Sequence, residues 1–151
     1  MFSVLQGVVL SPLPFPESNR LVFLWQSRPG LPEIDVSEPN FEDWQRNSRS
    51  FEQMSALEFN NFTLSYPGAA EHLLGMRVSS TFLATLKVMP VLGHDLTSDD
   101  DRPNGPPVAL MSYRLWKERF SGDPQAIGRT LVLDGQTLTI FGVLPSEAGA
   151  E

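Results

Sequence analysis

Four aspartates in one polar stretch form the densest group of side chains that could do chemistry. They are Asp95, Asp99, Asp100 and Asp101, followed by Asn104 and Gly105. Oxygen donors in a loop suggest calcium, but a helix-loop-helix calcium site needs alternating ligands and a glutamate at its twelfth position, and this spacing is missing. Arg102 also neutralises part of the charge. We interpret residues 95–101 as a solvated acidic loop, with cation binding left open as the alternative.

The histidines and glycines do not form a recognisable catalytic or cofactor motif. His72 and His94 are the only histidines, too few for a His-rich metal site without other ligands. A hydrolase could combine His94 and Asp95 with a serine, but no G-x-S-x-G elbow is present. Phosphate-binding glycine motifs are missing as well. The sequence predicts a protein that is not an enzyme, with no catalytic, cofactor-binding or metal-binding residue, and a hydrolase using His94 remains a minor hypothesis.

The three tryptophans could instead form a stacking platform for a sugar or another small ligand. Trp25, Trp44 and Trp116 each lie among core-type residues, which favours a structural role. Phe41 and Trp44 fall on one side of a predicted helix that Asn40 would cap. Aromatic residues at helical spacing are typical of a core, so the ligand-binding interpretation is the alternative.

Composition excludes several classes of partner. The 151 residues carry a net charge of −7, and their basic residues are scattered, which argues against nucleic acid. The chain has no cysteine, so disulfides and thiol chemistry are excluded. No apolar run approaches the roughly 18 residues of a membrane-spanning helix. A hydrophobic content of 41% is enough to build a core.

Helix and strand signals alternate along the chain and predict an α+β fold, with a mixed β-sheet and short helices. We expect strands at the ranges that follow, with turns at Asn60-Asn61, Pro67-Gly68 and Asp134-Gly135: 21–26, 51–59, 62–66, 71–78, 108–111, 130–133 and 136–143. Ser79 or Ser80 is the expected cap of one helix, and Ser112 the expected cap of another that places Trp116 inward.

The first ten residues, MFSVLQGVVL, are apolar and uncharged. They lack the basic region and the cleavage site of a signal peptide. They are either a buried first helix or strand or the trimmed end of a transmembrane helix. Pro12, Pro14 and Pro16 then predict a stiff, extended spacer.

Several segments resemble, in their order and in their residue sequence, the periplasmic core domain of MacB-like ABC transporter permeases within the FtsX-like group. The similar segments are PLPFPESNRLV at 12–22, PNFEDWQRNSRSFEQMSAL at 39–57, GMRVSSTFLATLKVMPVLGHDL at 75–96 and PPVALMSYRLWKERFSGDPQAIGRTLVLDGQTLTIFGVLP at 106–145. The sequence of these segments is most similar to the expanded permease set of acidobacteria and related soil bacteria.

This resemblance implies a domain with two lobes. Residues 1–11 would be the remnant of a transmembrane helix end, and 146–151 a tail. Residues 12–35 and 97–145 would form a porter-like α/β lobe, with residues 36–96 forming a β-rich, Sabre-like lobe. Family members continue beyond the VLP segment, so an incomplete porter lobe is expected to expose an edge that could pair with another copy.

The resemblance also implies a non-enzymatic domain on the periplasmic side of the bacterial inner membrane. It would couple motion of the membrane helices of its own permease to a substrate or to a periplasmic adaptor. Expected partners are a separate ATP-binding subunit or domain, an adaptor or a second permease copy, and no nucleic acid. The alternative is a stand-alone periplasmic module that binds a small ligand or a protein.

Overall fold

The computed structural model describes residues 4–9, 15 and 17–146, and the chain divides into two compact units, Met1–Met54 and Ser55–Glu151. Its sheets are mostly antiparallel and its helices are short, so the predicted α+β class is confirmed. None of the helices within the described ranges is both long and apolar enough to cross a membrane.

The first unit contains an antiparallel sheet of three strands in the order β1-β2-β3. The strands are β1 (Val4–Val9), β2 (Val22–Arg28) and β3 (Leu31–Ile34). Of the two interpretations of the N-terminus, residues 4–9 follow the strand form, because they pair with β2 from Val4 opposite Ser27 to Val9 opposite Val22. The assignment of residues 1–11 to a membrane helix stays a prediction. Residues 11–14 and 16 of the expected spacer, which include all three of its prolines, lie outside the described residues.

Helix α1 (Glu38–Asn47) follows the three strands in this unit and begins earlier than predicted. Its N-cap is Ser37, and Asn40 lies within the first turn rather than capping it. The physical reason is Pro39, whose fixed φ suits the first turn of a helix and moves the start toward the N-terminus. Arg20 forms ion pairs with Glu17 and Glu52 in the same unit.

The second unit is built on a six-stranded sheet. Its main path has the order β5-β4-β8-β9-β6, and β7 pairs with β9. The strands are β4 (Leu57–Tyr66), β5 (Ala69–Val78), β6 (Leu92–Gly93), β7 (Val108–Met111), β8 (Thr130–Leu133) and β9 (Gln136–Val143). β9 pairs antiparallel with β6 and β8 and parallel with β7.

The prediction of a turn at Asn60-Asn61 was wrong, because both residues lie inside the continuous strand β4. The hairpin turns at Pro67-Gly68 instead, and its ten pairs run without a shift from Tyr66 opposite Ala69 to Leu57 opposite Val78. Asparagine only tolerates the left-handed conformations of a tight turn, whereas proline fixes the first turn residue and Gly68 adopts φ +81°. The Pro-Gly signal therefore prevails.

Two α-helices lie in the described part of the second unit. α2 (Phe82–Leu86) begins after Thr81 rather than after Ser79 or Ser80, and α3 (Tyr113–Phe120) begins as predicted after Ser112. Ser112 accepts a hydrogen bond from the Leu115 amide at 3.1 Å. Trp116 of α3 packs in a core with four other buried side chains, which are Met111, Ala126, Ile140 and Val143.

The β8–β9 hairpin has its predicted bounds. Asp134 and Gly135 both have positive φ, +49° and +79°, as the two-residue turn of a twisted hairpin requires. The sheet joins this hairpin directly to β4 through Leu64 opposite Leu133 and Ser65 opposite Val132. The division of the chain after Met54 differs from the lobe boundaries at 36 and 96 that the resemblance implies, and those boundaries stay a prediction.

Candidate functional site

The aspartates of the acidic loop direct their carboxylates at nearby protein groups. Asp100 accepts hydrogen bonds from the amide and the hydroxyl of Thr97, at 2.8 and 2.9 Å. Asp95 accepts from the Leu96 amide at 2.6 Å, and Asp99 forms an ion pair of 2.8 Å with Arg102. Each carboxylate therefore contributes to the folding of the loop itself.

Asp101 connects this loop to the segment before α2. Its carboxylate accepts a hydrogen bond from the backbone amide of Ser80 at 2.9 Å. Across the parts of the chain that the structure covers, no three histidine or acidic side chains converge in a way that could hold a metal ion. The geometry gives the aspartates an anchoring role and adds no support to the cation hypothesis.

The two histidines lie in unrelated surroundings. The Nδ1 atom of His72 on β5 lies 3.4 Å from the hydroxyl of Thr63 on β4. The Nδ1 atom of His94 lies 2.8 Å from the carbonyl oxygen of Asp95, and its ring packs at 5.1 Å against Phe141. His94 thus contacts the backbone of Asp95 and not its carboxylate, so this arrangement does not support the hydrolase hypothesis.

Trp116 is a core residue. It is 8% exposed, its ring nitrogen donates to the carbonyl of Asp123 at 2.8 Å, and its ring meets Tyr113 edge to face at 5.4 Å. Lys117 lies 4.9 Å above the same ring. The structural interpretation of Trp116 follows from these contacts. Trp25 lies on β2, but its side chain is outside the described part of the structure.

Trp44 instead borders a shallow cavity of about 300 Å³ in the first unit. The cavity is lined by Asp43, Trp44, Asn47, Ser48, Phe51 and Met54. Its aromatic and thioether groups suit an apolar ligand fragment, and Asp43 and Asn47 add polar residues to the lining. This volume is at the lower end of the range that small-molecule sites occupy.

A junction of polar contacts fixes the β4–β5 hairpin to α3 and to the β8–β9 turn. Glu71 on β5 forms an ion pair with Arg119 on α3, whose guanidinium lies 5.1 Å from the centre of the Tyr66 ring. Thr63 donates its amide hydrogen to the Asp134 carboxylate at 2.8 Å and accepts from the Asp134 amide at 3.0 Å. Sequence patterns did not indicate these contacts, because their partners lie far apart in the chain.

The same hairpin presents an apolar face to solvent. Phe59 and Met76 are paired in the strand register, and Leu74 is the next residue on that face of β5. The three are 61%, 42% and 69% exposed. Such clustering often marks an interaction surface. The prediction of a turn at Asn60-Asn61 hid this face, since it divided β4 in two.

Comparisons with known proteins point to one group. The sequence model of the family described as MacB-like periplasmic core domain matches residues 1–151. No curated protein matches the chain. The solved extracellular domain of the noncanonic ABC-type transporter YknZ from Gram-positive bacteria superposes with a TM-score of 0.62 at 17% identity, covering 73% of this chain.

The periplasmic region of MacB from Actinobacillus actinomycetemcomitans superposes with a TM-score of 0.61 at 13% identity, covering 78% of this chain. Both likenesses concern the fold alone, because the identities are low. The matches extend over 57% of the YknZ structure and 55% of the MacB structure, so this chain corresponds to little more than half of either solved region.

Proposed function

Because the chain belongs to the family of MacB-like periplasmic core domains of ABC transporter permeases, we propose that it acts mechanically. In this proposal it is a non-enzymatic, extracytoplasmic domain of an export permease. It couples ATP-driven motion of the membrane helices to the engagement of a substrate or of a periplasmic adaptor. The ATP-binding unit is a separate subunit or domain.

We also propose the two-lobe assignment, with residues 12–35 and 97–145 as the porter-like lobe and residues 36–96 as the Sabre-like lobe. Under this assignment the junction at Arg119 and Asp134 connects the hairpin of one lobe to the helix and turn of the other. This junction is the observation that best supports a mechanical role. An ion pair and two backbone-anchored hydrogen bonds can transmit a displacement from α3 and the β8–β9 turn to the hairpin.

The test measures distances in the complete permease, reconstituted with its ATP-binding unit in lipid nanodiscs. One spin label replaces Glu42 on α1 and another replaces Gln136 on β9, both at exposed positions. We expect the distance between the labels to differ between the nucleotide-free and the ATP-bound states. Labels at Arg114 and Gln136, both in the porter-like part, are the control pair and should keep their distance. Identical distributions in the two states for the first pair would contradict the coupling.

A stand-alone ligand-binding module is the second candidate, and the cavity beside Trp44 is the observation that favours it. A small aromatic compound that raises the melting temperature of the 151-residue chain would support it, provided that Trp44→Ala abolishes the rise. The surrounding gene separates the two candidates. Transmembrane segments encoded on both sides favour the permease, and a cleavable signal peptide with a stop codon after Glu151 favours the module.

A further inference from the structure

Strand β5 ends the six-stranded sheet with an open edge. Within the described residues it pairs with β4 alone, so one side of its backbone faces away from the sheet. The strand is ten residues long and contains neither proline nor lysine, which commonly protect an edge from pairing with another chain, and its two charged residues, Glu71 and Arg77, have opposite signs. An edge of this length is a template for a further strand.

The hydrogen bonds around the hairpin identify which backbone groups point outward. The Ser79 amide donates to the Ala56 carbonyl at 2.9 Å, which marks that position as a hydrogen-bonded pair. Hydrogen-bonded and non-hydrogen-bonded pairs alternate along an antiparallel ladder. This alternation makes Thr63 and His72 a non-hydrogen-bonded pair. The contacts of Thr63 are consistent with it, because its amide and its carbonyl both bond to Asp134 and so point away from β5. The outward groups of β5 belong to Ala70, His72, Leu74, Met76 and Val78.

We propose that two copies of this chain pair antiparallel through their β5 edges, about a two-fold axis at Leu74. With a two-fold axis at residue 74, the numbers of any two opposed residues, one from each copy, sum to 148. Glu71 therefore faces Arg77 of the second copy, and the reverse contact is made on the other side of the axis. A two-fold axis at any other position on β5 would not bring Glu71 opposite Arg77. An axis at Glu71 or at Arg77 would place that residue opposite its own copy and so oppose like charges.

Side-chain properties fit this register. Glu71 and Arg77 fall at non-hydrogen-bonded pairs, where opposing side chains approach most closely. Glu71 already binds Arg119, but a carboxylate has acceptor sites for a second cation, and Arg77 is exposed. Leu73 would lie opposite Gly75, a small residue opposite a large one. The exposed Leu74 side chains of the two copies would contact each other at the axis and join the apolar faces of the two β4–β5 hairpins.

This contact is independent of the proposed transport role, because it depends on the geometry of β5 alone. One strand from each copy makes a small interface compared with the roughly 1,200–2,000 Å² of stable complexes. We therefore expect a weak dimer that forms at high protein concentration.

Disulfide trapping tests the register, and the chain contains no cysteine that would interfere. Opposed residues of an antiparallel pair have Cα atoms about 4.5–5.5 Å apart, within the range that a disulfide bridges. Leu74→Cys should cross-link to its own copy at least tenfold faster than Met89→Cys, a control at a position 76% exposed outside the hairpin. A mixture of His72→Cys and Met76→Cys chains should cross-link to each other faster than either does alone. Equal rates for Leu74→Cys and Met89→Cys would overturn the proposal.

Sedimentation equilibrium tests the interface without a covalent trap. The wild-type chain should approach twice its 16.8 kDa mass as concentration rises. Leu74→Lys places two cations opposite each other at the axis, and Arg77→Glu places a second carboxylate opposite Glu71. Each substitution should raise the dissociation constant of the dimer at least tenfold. Met89→Lys should leave it unchanged. Circular dichroism checks that each variant is folded. A wild-type chain that stays monomeric, or a dimer that Leu74→Lys leaves intact, would refute the pairing.

Discussion

Arg119 on α3 forms an ion pair with Glu71 on β5, and the same guanidinium lies over the ring of Tyr66. Glu71 and Tyr66 lie on the same face of the β4–β5 hairpin, whose register sets Tyr66 opposite Ala69 and Leu64 opposite Glu71. One side chain from a helix therefore contacts both strands of the hairpin. About two-thirds of each charged side chain is buried, so water screens the pair less than it would a fully exposed one.

Removal of this contact should lower the stability of the chain measurably. Arg119→Gln eliminates the ion pair and the cation–π contact, so we expect a loss of about 1–2 kcal/mol in the free energy of unfolding. Glu71→Gln removes only the ion pair and should cost less. Urea unfolding followed by circular dichroism measures both. Arg114→Gln, which removes an exposed pair with Glu118, is the matched control, and an equal loss there would contradict a special role for Arg119.

The two serines at helix N-caps provide a second comparison. Ser112 accepts a hydrogen bond from the Leu115 amide, whereas the side chain of Ser37 makes no capping bond to α1. Ser112→Ala should therefore lower the free energy of unfolding by about 1 kcal/mol, and Ser37→Ala by a few tenths at most. Thermal unfolding of both variants checks this difference. Equal effects would show that the cap geometry of α3 contributes little.

Gly93 should tolerate no side chain, because its surroundings leave no room for one. A Cβ atom there would lie 1.9 Å from the carbonyl oxygen of Phe141 on the neighbouring strand, and φ is +75°. Gly128 also has a positive φ, +90°, but a Cβ atom there would have no heavy atom within 4 Å beyond its own residue and its chain neighbours. We expect Gly128→Ala to lower the free energy of unfolding by about 1 kcal/mol and Gly93→Ala to lower it by clearly more. Chemical denaturation of the two variants separates backbone strain from steric overlap.

The bond between Asp101 and Ser80 should make the acidic loop a stabilising element. Asp101→Ala removes the acceptor for the Ser80 amide, so we expect a loss of about 1 kcal/mol. Asp99→Ala removes only an exposed pair with Arg102 and should change stability by less than about 0.5 kcal/mol. Hydrogen exchange of the Ser80 amide should be faster in Asp101→Ala and unchanged in Asp99→Ala.

Calcium provides a direct test of the cation alternative for residues 95–101. The carboxylates of Asp95, Asp100 and Asp101 already accept hydrogen bonds from the backbone, and competition with these bonds weakens metal binding. We expect the melting temperature of the chain to be the same in excess calcium and in excess chelator. A rise with calcium that Asp100→Asn removes would instead establish a cation site.

Local signals predicted the parts of the fold that depend on short-range chemistry. The Asp134-Gly135 turn and the Ser112 cap need only neighbours in sequence, and both occur as predicted. The turn at Asn60-Asn61 failed because β4 is held by pairing with β5 and β8, which overrides what two asparagines tolerate. The junction of Arg119 with Glu71 joins residues far apart in sequence, so local spacing could not indicate it.

The exposed hairpin face shows a related limit. Leu74 and Met76 have the apolar character of core residues, and the sequence alone does not distinguish a strand face that is buried from one that is open. Their exposure depends on which elements pack over β5, and that is a property of the whole fold. The resemblance to a permease domain supplied the functional hypothesis, whereas the alternation of residue types supplied the elements.

The position of β9 in the chain has a consequence for the order of assembly during synthesis. β9 pairs with β6, β7 and β8, yet it is the last of these strands to leave the ribosome. Until residues 136–143 emerge, β6 and β7 lack the strand with which they pair, and β8 has only its short pairing with β4. The apolar side chains of Met111 and Trp116 then lack the sheet that buries them. A nascent chain interrupted before Gln136 would therefore expose the core of its larger unit and depend on chaperones.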